Sequence, residues 1–104
     1  MANTVKSYPQ IVQQLLTSYA QIPYSYDHLA DETLFDCQAD RYLLLTMGWQ
    51  GKTRVHTCMI HLDIRDGKVC VQCNNTDQNI VEELVAEGVA REDIILPKPP
   101  RATF

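Results

Sequence analysis

The sequence predicts an α+β fold from three observations. An amphipathic stripe lies near each end, strand-like alternation fills the middle, and Asp66-Gly67 sits at the tip of the longest alternating run. The expected arrangement is an N-terminal helix, a four-stranded antiparallel meander sheet and a C-terminal helix, with both helices on one face of the sheet. At 104 residues and 45% hydrophobic content the chain suits one core and is too short for two, so residues 1–104 are read as a single domain. Its ends, 1–4 and 97–104, are expected to be extended or mobile, because Pro97, Pro99 and Pro100 cannot donate ladder hydrogen bonds.

The stretch Arg54–Asn74 organises the rest. A two-residue I′ turn needs positive φ at both centres, and Asp-Gly supplies it, so Asp66 and Gly67 are the structural turn of a hairpin. The register follows. Arg65 faces Lys68, Ile64 faces Val69, Leu62 faces Val71 and Ile60 faces Cys73, while Asp63 faces Cys70 and His61 faces Gln72. Parity places Ile60, Leu62 and Ile64 on the core side and His61, Asp63 and Gln72 on the other.

In chain order, Tyr8, Ile11, Val12, Leu15, Leu16 and Tyr19 recur at three-and-four spacing and predict a helix from Val5 to Ala20. Pro9 lies in its first turn and Thr4 or Ser7 serves as its cap. From Gln21 to Asp31 the periodicity is lost and Pro23 disfavours helix, which predicts a loop carrying Tyr24, Tyr26, Asp27 and His28. Strands are expected over Glu32–Cys37 and Tyr42–Trp49, with a turn at Gln38-Ala39-Asp40 between them. Leu43, Leu45, Met47 and Trp49 share one face of the second strand, and Tyr42, Leu44 and Thr46 the other. If the turn around Gln50–Thr53 is even-numbered, Leu43, Leu45 and Met47 join His56, Cys58 and Ile60 on the core face. Thr76 or Asp77 then caps a helix whose buried stripe is Ile80, Val81, Leu84 and Val85, and which ends at Gly88.

The formal charge of −4 argues against binding nucleic acid by bulk electrostatics, because phosphate recognition relies on clustered Lys and Arg. No apolar run reaches membrane-span length and no leader pattern opens the chain, so a cytoplasmic location without membrane contact is expected. Cys37, Cys58, Cys70 and Cys73 read as reduced thiols. In a strand the Cys70 and Cys73 side chains point to opposite faces, which does not suit a metal, and no cofactor is expected. No phosphate loop, dinucleotide turn, nucleophile elbow or His-Glu-x-x-His helix is present, so the chain is read as a non-enzyme. The nearest approach to catalytic chemistry is His56, His61, Asp63 and Gln72, of which His61, Asp63 and Gln72 share a face that would suit a proton-transfer pair or half a metal site while His56 points the other way. A small-ligand-binding protein or enzyme using the His61 and Asp63 face is the alternative reading.

Several blocks together resemble one family. Tyr8 through Tyr19, Leu34-Phe35-Asp36, Met47-Gly48-Trp49-Gln50-Gly51, the run from Ile60 to Lys68, and Glu83-Leu84-Val85 to Gly88-Val89 with Glu92-Asp93-Ile94 look like the XisI family, the fdxN-element excision controlling factors of cyanobacteria. The resemblance covers nearly the whole chain in order. It implies a small accessory protein that controls site-specific excision of a DNA element during heterocyst development. Such a protein acts beside a recombinase and a companion, XisH, and meets DNA only indirectly.

The sheet face away from the helices is expected to make a protein contact. Tyr42, Leu44, Val55, Thr57, Met59 and Cys70 are assigned to it, rimmed by His61, Asp63 and Gln72, and they are too apolar for a purely solvated surface. A homodimer is the expected cover, and the tail or the Gln21–Asp31 loop folding across the face is the competing one.

Overall fold

A computed structural model of the chain describes residues 6–21 and 28–97. Helix α1 (Tyr8–Ala20) opens with a capping box. The Gln10 backbone N–H donates to Ser7 Oγ at 3.4 Å, and the Ser7 N–H donates to Gln10 Oε1 at 3.0 Å. The helix therefore starts at Tyr8 rather than Val5, and Thr4 lies outside the described residues. Ile11, Val12, Leu15 and Leu16 are buried, as the spacing predicts.

Four antiparallel strands follow: β1 (His28–Asp36), β2 (Arg41–Gln50), β3 (Thr53–Arg65) and β4 (Lys68–Asn74). Strand β1 begins before the expected Glu32, because the pairs His28↔Trp49, Leu29↔Gly48 and Ala30↔Met47 extend its ladder along β2. Gly48 makes that close approach possible. Its φ is +146°, and a Cβ built there would lie 1.7 Å from the His28 carbonyl oxygen. The expected loop residues Tyr24, Tyr26 and Asp27 lie outside the described residues.

Helix α2 (Ile80–Glu87) is capped by Asn79, whose side chain accepts from the Glu82 N–H at 3.2 Å, and it ends on Gly88 with φ 119°. Thr76 and Asp77, the expected caps, precede it. Thr76 is held instead by the Asn74 side chain, which accepts from the Thr76 N–H at 3.0 Å and from its hydroxyl at 2.6 Å. After a 3-10 turn at Arg91–Asp93 comes β5 (Ile94–Ile95), which pairs parallel to β4 through Val69↔Ile94 and Cys70↔Ile95. The sheet is thus a five-stranded mixed sheet in the order β1-β2-β3-β4-β5, not a four-stranded meander. Two residues were too short a run to signal a strand, and the chain had to return past α2 to reach β4.

Two tyrosines of α1 hold this return in place. The Tyr8 hydroxyl donates to Asp93 Oδ2 at 2.6 Å and accepts from the Ala90 N–H, and the Tyr19 hydroxyl donates to Glu83 on α2. Burial and the facing Glu83 carboxylate both push the Tyr19 pKa up.

Around Asp66-Gly67 both φ values are positive, 53° and 75°, as the I′ turn requires. The pairs Arg65↔Lys68, Ile64↔Val69, Asp63↔Cys70 and Leu62↔Val71 follow the expected register. Beyond them Gln72 is an extra residue, so His61 pairs with Cys73 and Ile60 with Asn74 instead of the expected Gln72 and Cys73. A second bulge lies between β2 and β3. Leu44 pairs with Ile60 and Leu45 with Cys58, leaving Met59 as the extra residue.

This second bulge corrects the assignment of faces. Tyr42, Leu44 and Thr46 point towards the helices and are 1%, 2% and 5% exposed, in one core with Ile60, Leu62, Val69 and Val71. The Tyr42 hydroxyl donates to Asp40 Oδ1 at 2.8 Å. Its burial, reinforced by that carboxylate, raises its pKa to about 12. Leu43, Leu45, Met47 and Trp49, expected in the core, lie on the uncovered side.

The two glycines separate two kinds of cost. A Cβ added at Gly67 meets no atom within 4 Å, so the cost of Gly67→Val should come mainly from left-handed backbone strain, about 1–2 kcal/mol or more for a β-branched residue. Gly48→Ala should lose more, because its Cβ would strike the β1 backbone. Urea unfolding checks both, and an unchanged midpoint for Gly67→Val would show that the turn does not hold positive φ in solution.

Candidate functional site

Cross-strand pairing defines the uncovered face, since opposed residues project to the same side. Its middle line is β2, where Leu43, Leu45, Met47 and Trp49 follow one another. On the β1 side stand Leu34, Glu32 and Ala30, paired with Leu43, Leu45 and Met47. On the β3 side stand His61, Cys58, His56 and Arg54, paired with Leu43, Leu45, Met47 and Trp49. Leu34 is 57% and Trp49 47% exposed, high values for large apolar side chains. The Arg54 guanidinium lies 5.5 Å from the Trp49 ring centre, within cation–π range.

At the end of this face nearest the Asp66-Gly67 turn lies a buried carboxylate. Asp63 is only 2% exposed, although it points away from the helices. Its Oδ1 lies 2.7 Å from His61 Nε2 and its Oδ2 accepts from Arg65 Nη2 at 3.2 Å. Alternation along β3 makes this cluster, because residues 61, 63 and 65 project to one side. The carboxylate fixes the imidazole ring, and an oriented imidazole is able to transfer a proton. Other clefts open elsewhere among the described residues. One lies along α1 and reaches Phe35, and another lies between β4, the start of α2 and Leu96.

Cys58 and Cys73 are neighbours, and Cys73 Sγ lies 3.8 Å from the Cys58 carbonyl oxygen, to which it donates. Burial, with a smaller contribution from Cys73, pushes the Cys58 thiol pKa up and holds it protonated. Among the described residues no group of three or more His, Cys, Asp and Glu is placed to hold a metal ion. No helix among them is long and apolar enough to cross a membrane.

The XisI protein family profile matches residues 1–102. The chain belongs to the XisI family. A crystal structure of a XisI-like protein from Anabaena variabilis ATCC 29413, at 1.30 Å resolution, is 44% identical and superposes with a TM-score of 0.79. That match covers 86% of this chain and 82% of the other. The fdxN element excision controlling factor XisI from the same organism, at 2.19 Å resolution, is 34% identical with a TM-score of 0.71, over 86% of each chain. No curated protein gives a significant match.

In this XisI-family chain the expected contact residues divide between the two faces. Tyr42 and Leu44 are in the core, Met59 is the bulge residue packed against that core, and Val55 and Thr57 pair with Gly48 and Thr46 on the helix side. His61, Asp63 and Cys70 are on the uncovered face, while Gln72 is the extra residue of the β4 bulge. Leu34, Leu43, Leu45, Met47 and Trp49 were missed as surface residues. Leu34 and Trp49 carried a usable signal, since the pairing of β1 with β2 needs only the turn at Gln38-Ala39-Asp40.

Asp63→Ala should destabilise the fold by about 1–3 kcal/mol, the usual cost of removing a buried hydrogen-bonding group, and Asp63→Asn by less. Urea unfolding measures both. Equal midpoints for wild type and Asp63→Ala would mean that the His61 and Arg65 contacts contribute nothing to stability.

Proposed function

We propose that this chain is an accessory regulator of site-specific DNA-element excision. It acts through protein contacts with a XisH-like protein or a recombinase complex, in the cytoplasm, and reaches DNA only through them. The observation that carries this reading is membership of the XisI family, joined to 34% identity with a protein named as an fdxN element excision controlling factor. The formal charge of −4 supports indirect contact with DNA, since net negative charge opposes approach to phosphate. The uncovered face mixes both signs, with Glu32, Asp36 and Asp63 beside Arg41, Arg54 and Arg65, rather than gathering one sign of charge, which suits a protein surface better than a phosphate backbone.

Co-expression with a XisH-like protein, followed by size-exclusion chromatography, tests the proposal. One stable co-eluting complex is expected, together with weak, salt-sensitive and non-selective binding of element-end DNA by the isolated chain. Separate elution of the two proteins would remove the partner. Tight, sequence-selective DNA binding by the isolated chain at physiological salt would overturn the indirect role.

A further inference from the structure

We propose that Cys58 and Cys73 form an oxidation site, at which a peroxide converts the two thiols to a disulfide that bridges β3 and β4 beside the Met59 bulge. All four cysteines are free thiols. Register places Cys58 opposite Leu45 and Cys73 opposite His61, so both side chains project from the uncovered face. The Cys73 thiol donates to the Cys58 carbonyl oxygen at 3.8 Å. The Asn75 side-chain amide ties the same two residues together, donating to Cys73 Sγ at 3.3 Å and to the Cys58 carbonyl oxygen at 3.1 Å. Cys37 follows the end of β1 and Cys70 stands opposite Asp63, so neither faces another thiol in the register. Closing the bond costs each sulfur only a weak thiol hydrogen bond, Cys73 to the Cys58 carbonyl and Cys58 to the Ile60 carbonyl at 3.6 Å.

The two sulfurs take different parts. Burial, and the neighbouring Cys73 thiol after it, push the Cys58 pKa up, so Cys58 waits as a thiol. Cys73 lies near the end of β4 beside the exposed Asn74 and Asn75, where a small oxidant arrives first. Its sulfur attacks one oxygen of the peroxide, the O–O bond breaks, and the Cys73 proton passes to the leaving oxygen, which departs as water when the oxidant is hydrogen peroxide. Cys73 is then a sulfenic acid. The Cys58 sulfur attacks the Cys73 sulfur, the S–S bond forms as the S–O bond breaks, and the hydroxyl leaves with the Cys58 proton as a second water. Two thiols are oxidised and one peroxide is reduced.

The bridge falls where it has an effect. Cys58 precedes Met59, the extra residue that decides which face of β2 is buried, and the Asn75 N–H closes on the Met59 carbonyl at 2.7 Å. With the Asp66-Gly67 turn at the other end, a disulfide here closes the β3–β4 hairpin at both ends and restricts the unfolded chain. In a reducing compartment such a bond is transient, which makes the pair a sensor of oxidant rather than a permanent staple.

Treatment of the folded wild type with hydrogen peroxide, followed by mass spectrometry without reductant, is the test. The expected product is a single chain lighter by two hydrogens, with Cys58 joined to Cys73 in the peptide map and both thiols restored by dithiothreitol. Cys70→Ser should react in the same way, which separates Cys73 from the other cysteine on its tryptic peptide. Cys58→Ser should leave Cys73 as a sulfenic acid that dimedone traps, whereas Cys73→Ser should leave Cys58 unlabelled. The oxidised wild type should unfold at a higher urea midpoint than the reduced one. A wild type that keeps all its thiols, ends in separate sulfinic acids, or bridges through Cys37 or Cys70 would overturn the site, whatever the variants do. Dimedone on Cys58 in Cys73→Ser would overturn the order of the two sulfurs, and an unchanged urea midpoint would overturn the clamp on the hairpin.

Discussion

Two tight turns each impose a register on β3, and the single extra residue Met59 is what allows both to be satisfied. From Gly51-Lys52, with Gln50 opposite Thr53, the odd residues of β2 face even residues of β3 as far as Leu45 and Cys58. From Asp66-Gly67, Ile64 and Leu62 align with Val69 and Val71 beneath the helices. Without an insertion, Leu44 would lie opposite Met59, and Ile60 would share a face with Leu43. With Met59 bulged, Ile60 and Leu62 meet Leu44 and Tyr42, and all four are at most 2% exposed. Burial of each such side chain contributes about 1.5–3 kcal/mol, against about 1 kcal/mol for a disturbed ladder bond. Part of that disturbance is offset, because the Met59 carbonyl accepts from the Asn75 N–H at 2.7 Å.

The same insertion determines what the molecule shows to the outside. Had Leu43, Leu45 and Met47 gone under the helices, the uncovered face would have carried Tyr42, Leu44 and Thr46, and the Thr46 hydroxyl would not meet Asp31 Oδ1 at 2.5 Å on the helix side. The observed choice places Leu43, Leu45, Met47 and Trp49 on the face that the helices do not cover. A packing decision made at one β3 residue therefore sets which side chains the molecule offers for the protein contacts proposed above.

Much of this was legible in the sequence. The α1 stripe, the Asp66-Gly67 hairpin, the Gly88 terminus and the XisI-like blocks all rest on local signals that tertiary packing left unchanged. The bulges were not legible. Both faces of β2 are apolar, so composition does not choose between Leu43 and Leu44, and parity arguments fail silently at an extra residue. The first half of β1 was hidden for another reason: His28, Ala30 and Glu32 are exposed on an edge strand, and their strand form comes from pairing with β2 rather than from alternation. Asp63 was placed on the correct side but read as solvated. The signal for its burial was present in His61-Leu62-Asp63-Ile64-Arg65, where two hydrogen-bonding partners stand two residues away on the same face.

The face assignment governs every later step, and a pair of neighbouring substitutions tests it most directly. Leu44→Asn and Leu45→Asn differ by one position along β2, and urea unfolding would compare them. The account expects Leu44→Asn to cost about 3 kcal/mol or more, from lost burial and an unsatisfied amide in the core, and Leu45→Asn to stay within about 1 kcal/mol of wild type. A Leu45→Asn variant as damaged as Leu44→Asn, or more so, would contradict it.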